Sequence, residues 1–429
     1  MAEVDYAAKQ ATVPGRGSAG RVTAARAVIL IGTAMLYGLV LFGLSLDQTL
    51  HFVLFACVMG AGVYGWTRVP VLRTRAAALL AQEAGFARLC VIVAILAYPI
   101  VLRGNPYLIH VAFLAGVFAL MAVGLNFTLG FAGLLDLGYA AYFAAGAYTS
   151  ALLSTVWGLS FWLTLPLAGL VAAGFGFVVA WPCLRVHDRY LALVTLGFGA
   201  IVELLARNLR PITGGTDGIL NIPPPSLGGF SFLDPLRLGP VTLPFQANFY
   251  YLTVALVGLG VVATLRLKNS RVGRSWEAIR EDETAAACFG IDLIRHKLKA
   301  FTTGSFFAGL AGAVFAHAIS FIHPDNFNFP VSMGVLCMVV AGGMGNVGGV
   351  ITGAVFYVFV PERLREFEKL RLLLFGVSLL LLMRFRPSGI FPSVRRRLEL
   401  GRDPATGATG RQPEADRPGL AAARSDPSG

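Results

Sequence analysis

Charge is scarce in this chain. Asp, Glu, Lys and Arg make up 14% of its 429 residues, against 56% hydrophobic, a balance that excludes an ordinary soluble domain. Cysteine is scarce too. The five, Cys57, Cys90, Cys183, Cys288 and Cys337, have no paired spacing, so neither a disulfide framework nor a thiolate metal site is expected. The six histidines form no His-Glu-x-x-His pair, and no metal or other cofactor is expected. GxxxxGKS/T and GxSxG are both missing. The chain therefore lacks a phosphate cradle for hydrolysing ATP and an exposed nucleophile, and it is not expected to be an enzyme. Short alternating apolar and polar segments, the mark of barrel strands, are missing as well. The apolar runs are instead long and continuous, as helices need to be to satisfy their own backbone in lipid.

What is present is apolar sequence in blocks of membrane-spanning length. Runs lie at 27–46, 51–66, 89–102, 107–125, 133–155, 161–181, 189–207, 249–266, 300–320, 330–360 and 370–385, most of them close to the ~20 residues of a bilayer crossing. As a single helix, 330–360 would be ~46 Å long, well beyond a ~30 Å apolar core. Gly342-Gly343-Met344-Gly345-Asn346-Val347-Gly348-Gly349 interrupts it, so a hairpin of two short helices is expected, giving twelve crossings. The fifty glycines suit close helix packing.

The net charge of +12 does not imply nucleic acid, because Lys and Arg fall between the spans and form no basic face with interleaved aromatics. It reads as positive-inside topology. Lys9, Arg16, Arg21 and Arg26 precede the first run, Arg68, Arg73, Arg75 and Arg88 follow the second, and Arg384, Arg386 and Arg395 to Arg397 follow the last. Both termini are expected in the cytoplasm, and the Pro- and Gly-rich stretch from Asn208 to Asn248 outside. Arg363, Arg365, Lys369 and Arg371 run against this count, partly balanced by Glu362, Glu366 and Glu368. The chain divides into a tail (1–26), two N-terminal helices with a basic loop (27–88), a core (89–393) and a disordered basic tail (394–429).

One long charged segment interrupts the second half, Arg266 to Lys299, reading RLKNSRVGRSWEAIREDETAAACFGIDLIRHKLK. Charge and the parity of crossings both place it in the cytoplasm. Asp282 stands as an N-cap, Gly290 as a helix stop, and Asp292 as the next N-cap, so a helix of two turns is predicted between them. Upstream, Trp276 and Ile279 share one face, with Arg274–Glu277 and Arg280–Glu283 also at i,i+3 spacing. Such an apolar ridge on a charged helix implies a contact outside the membrane. Ala285 to Ala287 are small and suit insertion into a groove.

Within the spans, Asp136 and Glu203 are the notable acids. Intramembrane acids are functional candidates, although each sits near a span end where it can snorkel or pair. The small-residue faces of 133–155 and 300–320, with Gly133, Gly138, Gly146, Gly304, Gly309 and Gly312, either surround a path or only pack helices. Gly343-x-Gly345-x-x-Gly348 matches a dinucleotide string but has no strand before it.

Several segments, in order, carry a resemblance: GLNFTLGFAGLLDLGYAAYFAAGAY, YLALVTLGFGAIVELLARN, TGGTDGI, GRSWEAIREDETAAACFGID, KAFTTGSFFAGLAGAVFA, VVAGGMGNVGG and RFRPSGIFP. Together, from about residue 90 to 393, they resemble the LivM-type permease of branched-chain amino acid ABC importers. The resemblance implies an all-α polytopic membrane protein with a type II ABC importer-like ten-helix core, here preceded by two extra N-terminal helices. It also implies a bacterial inner-membrane location in contact with membrane lipid, a second, LivH-type permease, two cytoplasmic ATPase subunits and a periplasmic binding protein. The ATPase-coupling residues would be Trp276, Ile279, Asp282, Glu283, Ala286 and Gly290. Asp136, Tyr142, Gly146 and Glu203 would belong to the substrate path. The match departs from the family at two points: Thr284 interrupts the EAAxxxG pattern, and Ala200 follows the GFG with Glu203 one turn later. An ion-coupled secondary transporter is the alternative, and it would need ionisable groups at midplane helix breaks.

Overall fold

A computed structural model describes residues 84–183, 188–238 and 241–363, with a few isolated positions elsewhere. The expected tails, the run at 370–385 and nearly all of 27–88 lie outside the described residues. Helix α1 covers Ala84–Val101 and α2 Pro106–Leu125, with Pro106 at its first turn, where a missing N–H costs nothing. A π-helical turn, Asn126–Phe131, continues α2. Then follow α3 (Tyr139–Thr155), α4 (Phe161–Cys183), α5 (Asp188–Asn208) and α6 (Gln246–Lys268). Two short helices, α7 (Arg271–Glu281) and α8 (Glu283–Cys288), lead into α9 (Leu293–Ile319), and α10 (Phe329–Gly342) and α11 (Val347–Arg363) follow. Among the described residues, 5 helices are long and apolar enough to cross a membrane, and the chain is a multi-pass membrane protein.

The expected hairpin over 330–360 is present as α10 and α11, joined by a tight turn in which Gly343 (φ 114°) and Gly345 (φ 79°) take conformations that disfavour a side chain. The Gly-x-Gly-x-x-Gly string is this turn, preceded by a helix and not by a strand. One expectation needs correction. The run at 133–155 is helical only from Tyr139; Ala132 to Gly138 form an irregular turn that contains Asp136. The described residues are mostly helical, as an all-α permease requires, and among them six short strands pair antiparallel in twos. They are β1 (Ile219–Leu220) with β6 (Phe321–Ile322), β2 (Ser226–Leu227) with β3 (Phe230–Ser231), and β4 (Leu236–Leu238) with β5 (Val241–Leu243). Strands of two or three residues have too few positions for alternation to reveal them.

Helix α9 is the centre of the packing, lying against α3 and α4 and touching α2. Lipid tails are as apolar as leucine, so what holds these helices together is close van der Waals fit between small residues. A Cβ added at Gly146 of α3 would lie 2.3 Å from the Gly309 carbonyl oxygen of α9, and one at Gly312 would lie 2.2 Å from the Phe143 carbonyl oxygen. Gly309 in turn faces α4, where its Cβ would meet Ala172 Cβ at 2.5 Å. At Gly146 and Gly312 the small-residue faces of α3 and α9 are thus filled by each other's backbone.

Candidate functional site

The two ends of the bundle differ. One end gathers α7 and α8, the π-turn with the 132–138 turn, and the turn between α10 and α11. The opposite end gathers the C-termini of α5 and α9 with the short strands.

At the first end, Ser270 caps α7 by accepting from Gly273 N–H (3.3 Å), and Asp282, in extended backbone, caps α8 by accepting from Ala285 N–H (2.9 Å). Gly290 has φ 79°, where its own N–H reaches the Ala287 carbonyl (2.9 Å) and Ile291 N–H the Ala286 carbonyl (3.1 Å), closing the helix as read from the sequence. Asp292 caps α9 through Arg295 N–H at 3.1 Å. Glu283 pairs with Lys297 of α9.

The Trp276–Ile279 ridge does not face outward. Trp276 is buried, its indole N–H donates to the His296 carbonyl (2.7 Å), and its ring meets Phe127 of the π-turn edge-on at 6.0 Å; Ile279 is buried as well. This chain itself covers the ridge, because α7 lies against α9 and the π-turn. Ala286 is also buried, so a bulky residue there would disturb the fold of the segment before it could report on docking. The face that α8 leaves open consists of Thr284, Ala285, Ala287, Cys288 and Phe289. Phe289 is 87% exposed and Ile294 of α9 is 55% exposed.

Arg280, on the same helix as Trp276, turns toward the membrane segments. Its Nη1 donates to the Gly130 carbonyl of the π-turn. Gly133 (φ 75°) leaves room for the Arg280 stem, since a Cβ there would lie 2.9 Å from Arg280 Cγ. Gly345 approaches from the other side, and its N–H donates to the buried Asn126 Oδ1 at 2.9 Å.

The substrate-path residues read from the sequence separate into three places. Asp136 and Tyr142 are both fully buried, and the Asp136 carboxylate accepts from Gly138 N–H (3.0 Å). The turn that holds them is fixed by Leu137 N–H to Thr195 Oγ1 (3.1 Å), Ala140 N–H to Ser332 Oγ (2.8 Å) and the Tyr139 hydroxyl to the Gly304 carbonyl (2.8 Å). Gly146 is in backbone contact with α9. Glu203 is at the far end of α5, paired with Arg207 at 2.9 Å, and Arg207 also pairs with Asp325.

Sequence reasoning passed over His317. It is buried in α9, with Nδ1 2.7 Å from the Pro223 carbonyl and Nε2 2.9 Å from Ser150 Oγ, which in turn lies 2.9 Å from Thr164 Oγ1. A carbonyl only accepts, so Nδ1 carries a proton. The network joins α3, α4 and α9 to the 223 region; the signal was a lone histidine on a glycine-rich apolar face. Among the described residues no group of three His, Cys, Asp or Glu side chains is placed to hold a metal.

The family whose sequence pattern matches residues 107–383 is described as the branched-chain amino acid transport system / permease component. This chain belongs to that family. The permease is 40% identical over 332 residues to the high-affinity branched-chain amino acid transport system permease protein LivM of Salmonella typhimurium, covering 74% of this chain and 77% of that protein. It is 41% identical to the LivM protein of Escherichia coli over 70% of this chain and 73% of that protein. More distantly, it is 25% identical to LivH of Escherichia coli over 56% of the permease and 79% of LivH. No solved structure matches. The LivM-type resemblance read from the sequence therefore stands, and the LivH likeness points to a permease pair.

Proposed function

We propose that this permease forms one half of the membrane path of an ATP-driven importer for branched-chain amino acids, with a LivH-type permease as the other half. A periplasmic binding protein delivers the solute, and two cytoplasmic ATPase subunits supply hydrolysis that this chain does not perform. Its core is ten membrane-crossing helices over 89–393, preceded by two added ones over 27–88, and both termini are cytoplasmic in the bacterial inner membrane. The observation that carries the reading is the α7–α8 pair: a triply capped segment at one end of the bundle whose one large exposed apolar side chain is Phe289. Docking runs through the open face of α8 around Phe289. Asp282, Glu283 and Gly290 shape that face, while Trp276, Ile279 and Ala286 fasten it to the bundle. Asp136, Tyr142 and Glu203 act on the path as polar groups at its two ends, and Gly146 supports it as a packing contact.

Reconstitution tests this directly. Proteoliposomes with both permeases and both ATPase subunits are expected to take up labelled leucine only with ATP inside and binding protein on the other side, and the permease alone is expected to take up none. Ion-gradient-driven uptake by this chain alone would replace the reading with a secondary transporter. For orientation, single cysteines at Thr216 and Ser275 are introduced after the native cysteines are replaced. An impermeant maleimide added to intact spheroplasts is expected to label position 216 and spare 275; labelling at 275 reverses the topology.

A further inference from the structure

We propose that Arg280 is a positioning residue of the transport cycle, its guanidinium tying the α7–α8 pair to the ends of two broken membrane segments so that movement of the pair is carried into both. The inference rests on the docking at α8 proposed above. Three stretches distant in sequence meet at this side chain. The first is the π-turn, where insertion of extra residues per turn shifts the hydrogen-bond register; such turns cluster at functional sites. Its neighbouring carbonyls have backbone partners, with Phe127 O taken by Ala132 N–H (3.2 Å) and Thr128 O by Leu134 N–H (2.9 Å). Gly130 O takes Arg280.

The second stretch is the turn between α10 and α11. A Cβ at Gly345 would lie 3.4 Å from Arg280 Nη1 and 3.3 Å from Gly130 O, so the turn rests on the same hydrogen bond. Asn126 ties it back to the π-turn through Gly345 N–H. The third is α7 itself, whose Trp276 wedges against Phe127 one turn before Arg280. The indole gives the helix an apolar pivot and the guanidinium gives it a directional grip. A planar guanidinium with several fixed donors suits holding two backbone segments in one geometry, which a single ammonium point charge does not. Glycine at 130, 133 and 345 keeps the space that the grip needs: a Cβ at Gly130 would fall 1.8 Å from Asn126 Oδ1. Neither end of the grip is at the open face of α8, so loss of Arg280 leaves the docking surface in place.

The test uses the full reconstituted complex with Arg280→Ala and Arg280→Lys permeases. Membrane level, co-purified ATPase subunits, basal ATPase and ATPase stimulated by loaded binding protein are read side by side. For Arg280→Ala, normal level, normal ATPase content and retained basal hydrolysis are expected, with the stimulated increment reduced ~10-fold, within the usual span of coupling between sites. Arg280→Lys, which keeps charge and stem, is expected to recover part of the increment; should Arg280→Ala fail to accumulate, Arg280→Lys decides by the same ratio. Stimulation within twofold of the unaltered complex overturns the proposal. So does a parallel fall in level, basal and stimulated activity, which marks a merely structural contact. Failure of the docking reading shows separately: the unaltered permease then holds no ATPase subunits, and this proposal falls with it.

Discussion

Leucine in place of Gly146 is expected to remove the permease from the membrane. The added Cβ alone would sit 2.3 Å from the Gly309 carbonyl oxygen and 2.4 Å from its Cα, both backbone atoms that cannot rotate aside. Nor can α9 retreat, because Gly309 is already against α4, with its own Cβ position 2.6 Å from the Ala168 carbonyl oxygen. Overpacking a close-packed interior by single methylenes costs about 1–3 kcal/mol, and leucine adds several heavy atoms at a backbone contact. The whole stability of a fold is about 5–15 kcal/mol, so an immunoblot of membranes is expected to show a loss of ~10-fold or more, with Gly146→Ala intermediate. A Gly146→Leu permease present at the normal level would mean that α3 and α9 do not approach as described.

The second large effect is expected at Phe289. Aromatic side chains at the centre of an interface contribute ~2 kcal/mol or more when truncated, or ~30-fold in affinity, and an aspartate adds a charge to a face that docking desolvates. Phe289→Asp is therefore expected to strip the ATPase subunits from the purified complex and abolish leucine uptake. The membrane level stays normal, since at 87% exposure the ring supports little of its own fold. Retained ATPase subunits in that variant would move docking off the α8 face.

Much of this was legible in residues that act locally. Asp282, Gly290 and Asp292 announced the start and stop of α8 and the start of α9 because capping depends only on a few neighbouring backbone groups. The glycine cluster at 342–349 announced the break between α10 and α11 for the same reason. The partner of a face was not legible. The i,i+3 spacing of Trp276 and Ile279 shows that one side of α7 is buried, and the same pattern arises whether this chain or another protein buries it. Gly146 signals close approach without saying whether a helix or a passage stands opposite. Asp136 looked like the end of a span because no other charge interrupts Gly133 to Thr155, and only the fold shows that its first residues form a turn. Arg280 was read as an ion-pairing residue on a wet helix, since its grip on Gly130 spans 150 positions and no local rule reaches that far.

The pairing of β1 with β6 also bears on how the far end of the bundle opens. Two connections roughly a hundred residues apart share one ladder, Ile219 with Ile322 and Leu220 with Phe321, extended by Ile222 N–H to the Ser320 carbonyl at 3.2 Å and by His323 Nε2 to the Thr216 carbonyl at 2.6 Å. Neither piece is long enough to hold its amide protons against solvent deuterium by itself. Because each protects the other, the amides of both are released in the same opening event. In hydrogen exchange, the peptides containing 219–222 and 320–323 should gain mass together, at one rate, although they are far apart in the chain.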